Sequence, residues 1–280
     1  MSLIYTLRKG NRGQEVKRLQ RAIGVIADGD FGHKTNIAVH DYQQIKGLDT
    51  DGVAGPVTLG SLGIAVMPGI DLSSHNGNVD FAKVAACGIK FAWIKITEGT
   101  THINPGYEDK FKGCRDHGIT VGAYHFGRPD TYVNDPSDAR AEADSFLNAL
   151  DKVGFRCGDL VPILDLEAGV KVDDQYNVEW ALTWLEAIGC SKNIRPAVYT
   201  ATWYYYAYMQ HANRSSLDNL ADYPLWWACY NTGVEPKRAV KLWDEWAVWQ
   251  WTGTGTIPGV PGKCDQNWIS TANMDLLTVG

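Results

Sequence analysis

Two carboxylates close the run Val161-Pro162-Ile163-Leu164-Asp165-Leu166-Glu167. The run is otherwise apolar, as a parallel strand buried on both faces is. Alternation sends Asp165 and Glu167 to one side with Val161 and Ile163, and Leu164 and Leu166 to the other. Two ionised, unpaired acids at the tip of such a strand are costly in low dielectric. Either the strand end emerges into solvent, or the pair does chemistry, and the breaking of glycosidic bonds uses such a pair. Two positions along a strand separate Cα atoms by ~6.6 Å. Retaining enzymes hold their carboxyl groups about 5–5.5 Å apart and inverting ones about 6.5–9.5 Å apart, so the spacing leaves the stereochemical course open.

Positioning such a pair requires a scaffold, and the region from about residue 68 onward supplies one. Strand-like runs are expected near 69–73, 91–97, 120–126, 160–167, 195–200, 225–230, 247–251 and 266–269. Helical patterns separate the first several, at 79–87, 107–117, 137–150 and 178–188, with a poorly patterned one after Trp203. Alternating βα units predict an α/β fold with a parallel sheet, and eight strands predict closure into a TIM-like (β/α) barrel. The last connections are too short for full helices, which makes the barrel irregular. Asp71, Glu98, His125, Asp165, Glu167, Tyr199 and Gln250 fall at or beside predicted C-terminal strand ends, where such barrels build active sites. Asp265 is the exception, since it opens the last strand, and a boundary error would account for it. Tyr124, Tyr199, Trp227 and Trp251 are candidates to stack on sugar rings. His125 fits either sugar binding or a satisfied core position, and Glu98 either a function or an ordinary ion pair with Lys95.

Composition divides the 280-residue chain in two. All eleven Trp lie between Trp93 and Trp268. Up to Val66 there are 8 Lys and Arg against 6 Asp and Glu, which leaves 18 against 26 of the total of 26 and 32 for the remainder. Neither part carries a basic stripe suited to nucleic acid. The first residues lack the pattern of a signal peptide, and no apolar run is long enough to span a membrane. The six cysteines are scattered, with no CxxC and no Cys/His spacing for a metal, and read as small buried free thiols.

The first module, residues 1–66, reads as a three-helix bundle. Helices are expected over 13–23, with Val16, Leu19 and Ile23 inward, and over 32–44, with Ile37, Val39 and Tyr42 inward. The segment Asp28-Gly29-Asp30-Phe31-Gly32-His33-Lys34-Thr35 is echoed by Asp51-Gly52-Val53-Ala54-Gly55-Pro56-Val57-Thr58. In each copy Asp-Gly suits a tight turn and a second Gly precedes a helix.

Leu7-Arg8-Lys9-Gly10, Asp30-Phe31-Gly32, Tyr42-Gln43 and Asp51-Gly52-Val53-Ala54-Gly55-Pro56 resemble the three-helix peptidoglycan-binding domain of cell-wall hydrolases. From residue 67 to 280, Gly69-Ile70-Asp71, Lys95-Ile96-Thr97-Glu98-Gly99, Gly122-Ala123-Tyr124-His125-Phe126, Asp165-Leu166-Glu167, Trp226-Trp227-Ala228-Cys229-Tyr230, Trp249-Gln250-Trp251 and Asp265-Gln266-Asn267 resemble, in order, the glycoside hydrolase family 25 lysozymes. The whole is similar to a modular bacteriophage endolysin.

The resemblance implies hydrolysis of the β-1,4 bond between N-acetylmuramic acid and N-acetylglucosamine in bacterial peptidoglycan. Glu167 would be the general acid and Asp165 would stay ionised. Asp71 and Asp265 would hold the acid, a water or the acetamido group. A third course, attack by the substrate's own acetamido oxygen, stays open beside retention by a protein nucleophile and inversion. No cofactor and no metal is expected. The chain would act as a monomer, made in the host cytoplasm and delivered to the wall, with a phage holin as one route. A wall-binding protein without turnover, or a glycosidase acting on another N-acetylated polymer, are the rival readings.

Overall fold

The computed structural model describes residues 5–129, 137–168, 173–230 and 242–280. Three helices, α1 (Gln14–Ala22), α2 (His33–Lys46) and α3 (Pro56–Ser61), pack around Leu7, Val16, Leu19, Phe31, Val39 and Leu59. Two expected inward residues of α2 do not face in: Ile37 is exposed and Tyr42 is half-buried. Thr35 and Gln43 are buried with Val39 instead.

The internal repeat explains why a glutamine is preferred there. The Gln20 amide donates to Asp28 Oδ1 (2.7 Å), the Asp30 carbonyl (3.0 Å) and Thr35 Oγ1 (3.0 Å), and accepts from the Gly29 N–H (2.8 Å). Gln43 repeats every bond with Asp51 Oδ1, the Val53 carbonyl, Thr58 Oγ1 and the Gly52 N–H. Each turn thus has its polar groups satisfied by one buried amide, which a small core needs more than another methyl group.

The bundle is seated on the barrel rather than tethered to it. Gln14 donates to the Trp246 carbonyl (2.9 Å) and accepts from the Trp246 N–H (2.8 Å), a buried two-bond clasp. Arg18 reaches Asn273 Oδ1 at 3.1 Å, and Tyr5 packs on Trp268.

The barrel strands are β1 (Val66–Leu72), β2 (Phe91–Glu98), β4 (Thr120–Phe126), β5 (Ile163–Leu166), β6 (Ala197–Ala201), β7 (Leu225–Ala228), β8 (Val248–Gly255) and β9 (Cys264–Ser270). A two-residue strand, β3 (His102–Ile103), pairs onto the end of β2. Around them lie α4 (Phe81–Ala86), α5 (Tyr107–Asp116), α6 (Ser137–Lys152), α7 (Asp174–Lys192), α8 (Thr202–Tyr208), α9 (Arg214–Ala221) and α10 (Thr271–Leu277). Neighbours run β1-β2-β4-β5-β6-β7-β8-β9, and β9 returns to β1 to close the barrel. Pairing is parallel from β1 through β8, while β9 is antiparallel to both neighbours.

That reversal corrects the reading of Asp265. It opens its strand not through a boundary error but because an antiparallel strand begins at the rim where the others end, and it pairs directly with Asp71.

Alternation along the strands builds two apolar layers. Phe91, Trp93, Ile163, Trp226 and Val248 fill the barrel interior, with Trp93 and Trp226 4.9 Å apart. Ile70, Ile94, Val121, Leu164, Val198 and Trp249 point outward against the helices. Gly69 and Gly122 make room for the inner aromatics. A Cβ on Gly69 would fall 2.1 Å from the Phe91 ring, and one on Gly122 would fall 2.6 Å from Trp93 Nε1. The acids therefore sit on a solid floor of packed rings, not over a pore.

All six cysteines are thiols rather than disulfides, but the expectation of buried thiols holds only for some. Cys114 and Cys264 are buried, Cys87 and Cys229 half-buried, and Cys157 and Cys190 exposed. Among the described residues no helix is long and apolar enough to cross a membrane.

Candidate active site

At the rim where β1–β8 end and β9 begins, a cleft of about 250 Å³ is lined by Asp71, Asp165, Glu167 and Asp265, with Lys95, Tyr124, Tyr199, Trp226, Tyr230 and Gln250 among its other walls. Each acid is placed by strand parity. Asp71 follows Gly69 on the inner face of β1, and Asp165 and Glu167 follow Ile163 from β5.

One amide organises the floor. Gln250 donates to Asp71 Oδ2 (2.9 Å) and accepts from the phenols of Tyr199 (2.9 Å) and Tyr230 (2.8 Å). Asn267 adds a second donor to Asp71 Oδ2 (2.8 Å), while its own oxygen accepts from Trp226 Nε1 (2.8 Å). The Tyr199 hydroxyl also lies 3.3 Å from Glu167 Oε2. Asp165 differs from the rest: it is buried, yet its Oδ1 has no hydrogen-bond partner among the described residues.

Burial pushes all four carboxyl groups above their ordinary range. Asp265 rises to about 9 through burial, the Asp71 charge and the hydrogen bond it gives to Asp71. Asp71 also rises through burial, opposed by the bonds from Asn267, Gln250 and Asp265. The geometry suits one proton held by Asp265 and given in a hydrogen bond to Asp71, as facing carboxylates favour. Glu167 rises through burial, with the Tyr199 hydrogen bond opposing, which suits a group that must hold a proton. Asp165 rises well above its ordinary value through burial and the Glu167 charge, with Lys95 opposing. Desolvation and the Glu167 charge thus disfavour the ionised form of Asp165, and Lys95 favours it.

The shared proton carries a stability consequence with a definite sign. A folded-state pKa raised to about 9 for Asp265 means that stability present at low pH is lost as pH rises from the ordinary carboxylate range through 9. Asp265→Asn keeps a donor for Asp71 and removes this titration. The variant is expected to lose less stability than the parent between pH 5 and 9 in thermal unfolding. An unchanged pH dependence would count against the shared proton.

Of the other expected contacts, Tyr124, Tyr199 and Gln250 line the cleft. Four do not. His125 is fully buried, with Nδ1 2.8 Å from Thr97 Oγ1, Nε2 2.6 Å from Glu142 Oε2, and its ring stacked on Trp184. Trp227 is buried on the helix side, where it donates to Thr202 Oγ1 (3.0 Å). Trp251 stacks on Trp268. Glu98 lies beside the cleft without lining it, where it pairs with Lys95 and Arg128. Parity explains three of these placements: Tyr124 and His125, Trp226 and Trp227, and Gln250 and Trp251 are adjacent pairs, and only one of each faces the axis. The same rule would have selected Trp226 over Trp227. Lys95 and Tyr230 are cleft residues that sequence reasoning passed over. Among the described residues no His, Cys, Asp and Glu groups are arranged to hold a metal.

A larger cleft of about 560 Å³ lies at the opposite end of the barrel, beside the bundle. Among its charged walls Arg18 pairs with Glu245 and Arg214 with Asp218, and these acids are about half exposed rather than desolvated.

A closed βα barrel whose rim collects four desolvated carboxyl groups beside aromatic rings has the parts of a glycosidase. The family profile described as glycosyl hydrolases family 25 matches residues 70–260, and the chain belongs to that family. A putative peptidoglycan binding domain matches residues 12–62.

Among relatives, the autolytic lysozyme of Clostridium acetobutylicum is 28% identical over 73% of this chain and 56% of its own, so the chain spans just over half of that protein. Lysozyme M1 of Streptomyces globisporus is 27% identical over 81% of this chain and 76% of its own. Among solved structures, the Clostridium perfringens spore cortex lytic enzyme SleM superimposes with a TM-score of 0.66 at 28% identity, covering 76% of this chain and 69% of that one.

Proposed function

We propose that this family 25 hydrolase is an endolysin-type lysozyme that cleaves the β-1,4 bond between N-acetylmuramic acid and N-acetylglucosamine, with Glu167 as general acid. The observation that carries the reading is the asymmetry of the carboxyl pair. Glu167 is the partly accessible acid, and Tyr199 bonds one of its oxygens. Asp165 is the buried one and keeps an oxygen that no described residue bonds. A buried acceptor without a donor costs on the order of 1–3 kcal/mol, and a substrate acetamido N–H is a donor of the right kind. Its binding would favour the ionised form of Asp165 and aim the acetamido oxygen at the anomeric carbon. Asp71 positions this assembly through Gln250 and Asn267, and Asp265 bonds Asp71 in turn.

The bundle serves as the wall anchor and raises the local concentration of the barrel on its polymer. Its clasp through Gln14 makes this a fixed geometry.

The test is a digest of purified peptidoglycan analysed by mass spectrometry after borohydride reduction. New reducing N-acetylmuramic acid ends are expected. Reducing N-acetylglucosamine ends, or freed stem peptides without glycan cleavage, would overturn the assignment.

A further inference from the structure

Lys95 is the single Lys or Arg among the described residues that line the acid cleft. Its side chain is only 12% exposed and faces inward by alternation with Phe91 and Trp93, while a register shift between Lys95 and Thr97 in β2 sets the direction of Glu98. Without the shift, Lys95 and Glu98, three residues apart, would face opposite sides. With it, Lys95 pairs with Tyr124 and Glu98 with Phe126, and both turn to the inner face. Lys95 Nζ then sits 2.5 Å from Glu98 Oε2 and 4.3 Å from the centre of the Phe126 ring.

Glu98 is itself held. Arg128 Nε donates to its other oxygen at 2.8 Å, and its guanidinium also lies over the Phe126 ring, 4.6 Å from its centre. The Arg128 N–H bonds Glu142 Oε2 at 3.1 Å, the oxygen that also meets His125, and His125 in turn holds Thr97 beside the shift. The residues that resembled a sugar contact in sequence form the back of a bracket for one cation.

We propose that Lys95 is the counter-cation of the acid cluster, a positioning residue that makes an ionised Asp165 beside a protonated Glu167 attainable, and that Glu98 and Arg128 fix its place. The inference rests on the lysozyme reading above.

The charged and titratable groups facing Lys95 are Glu98 on its own strand, Tyr124 and Arg128 from β4 and the loop after it, and Asp165 and Glu167 from β5. Asp71, Asp265, Tyr199, Tyr230 and His75 complete the cleft. The Lys95 charge favours the ionised form of both Asp165 and Glu167, whereas Glu98 disfavours that of Asp165. The two therefore pull the acid limb of the pH–rate profile in opposite directions.

The experiment measures kcat and KM on soluble glycan fragments from pH 4 to 9 for the parent, Lys95→Met, Lys95→Arg and Glu98→Gln. Lys95→Met is expected to lower kcat at least tenfold at neutral pH and to move the acid limb to higher pH. Lys95→Arg should keep the limb near the parent's position, and Glu98→Gln should move it to lower pH. A merely structural role would alter stability without these opposed shifts.

Superimposable profiles, or equal shifts for Lys95→Met and Lys95→Arg, would overturn the proposal. If the parent itself releases no reducing ends, the lysozyme reading fails. The Lys95 assignment is then judged from ¹³C carboxyl titration of Asp165 and Glu167 in the same variants, where the same directions support it and unmoved titrations refute it.

Discussion

Glu167→Gln is expected to cut the clearing of purified cell walls by about 10²- to 10⁴-fold, the range supplied by general-acid catalysis. The substitution keeps the shape of the side chain and an oxygen to accept from the Tyr199 hydroxyl, 3.3 Å from Glu167 Oε2. It removes the proton that the leaving oxygen needs. The loss should fall on kcat rather than on KM, because the interaction exists only as the glycosidic bond breaks. Wall sedimentation with the variant should match that of the parent, since the bundle is untouched. Turbidity assays and sedimentation on the same preparation check both halves. Equal clearing by the two proteins would remove Glu167 from the role of acid.

Asp165→Asn should cost at least about 10² in rate, on the scale of lost transition-state electrostatics. Its value lies in what the substrate adds. The buried Asp165 Oδ1 has no partner among the described residues, which fits an oxygen that receives the acetamido N–H. If so, the parent should also fail on walls whose muramic acid has been de-N-acetylated. If Asp165 were a covalent nucleophile, the parent would cut both kinds of wall and only the variant would fail. Product anomers by proton NMR give an independent reading: assistance by the acetamido group predicts retention, and an inverted product would exclude it.

Much of this protein was legible as pattern. Eight apolar runs alternating with helical periodicity defined a closed barrel, and the change in Trp content and charge near residue 66 separated a small helical module from it. The Asp165 and Glu167 pair stood out because parity placed two acids on one face of an otherwise apolar strand. The limits were equally physical. Alternation is a local rule, so it selects the inner residue of each adjacent pair only when applied strictly. His125, Trp227 and Trp251 entered the expected site because residue type was allowed to outweigh it. The buried amides Gln20 and Gln43 were hidden for a related reason: their inward positions are set by bonds to turns eight to fifteen residues away, which no apolar periodicity reports.

The order of residues alone determined the two modules, the elements and the identity of the acids, because those depend on composition and on periodicities of a few residues. Tertiary structure alone decided three things. It reversed β9 so that Asp265 meets Asp71, it shifted the β2 register so that Glu98 turns to the same face as Lys95, and it left Asp165 desolvated with an oxygen that no described residue bonds. Each depends on which strand lies beside which, a relation set by closure of the whole barrel and by the packing of its rings. A linear sequence carries the parts of that arrangement but not the distances between them.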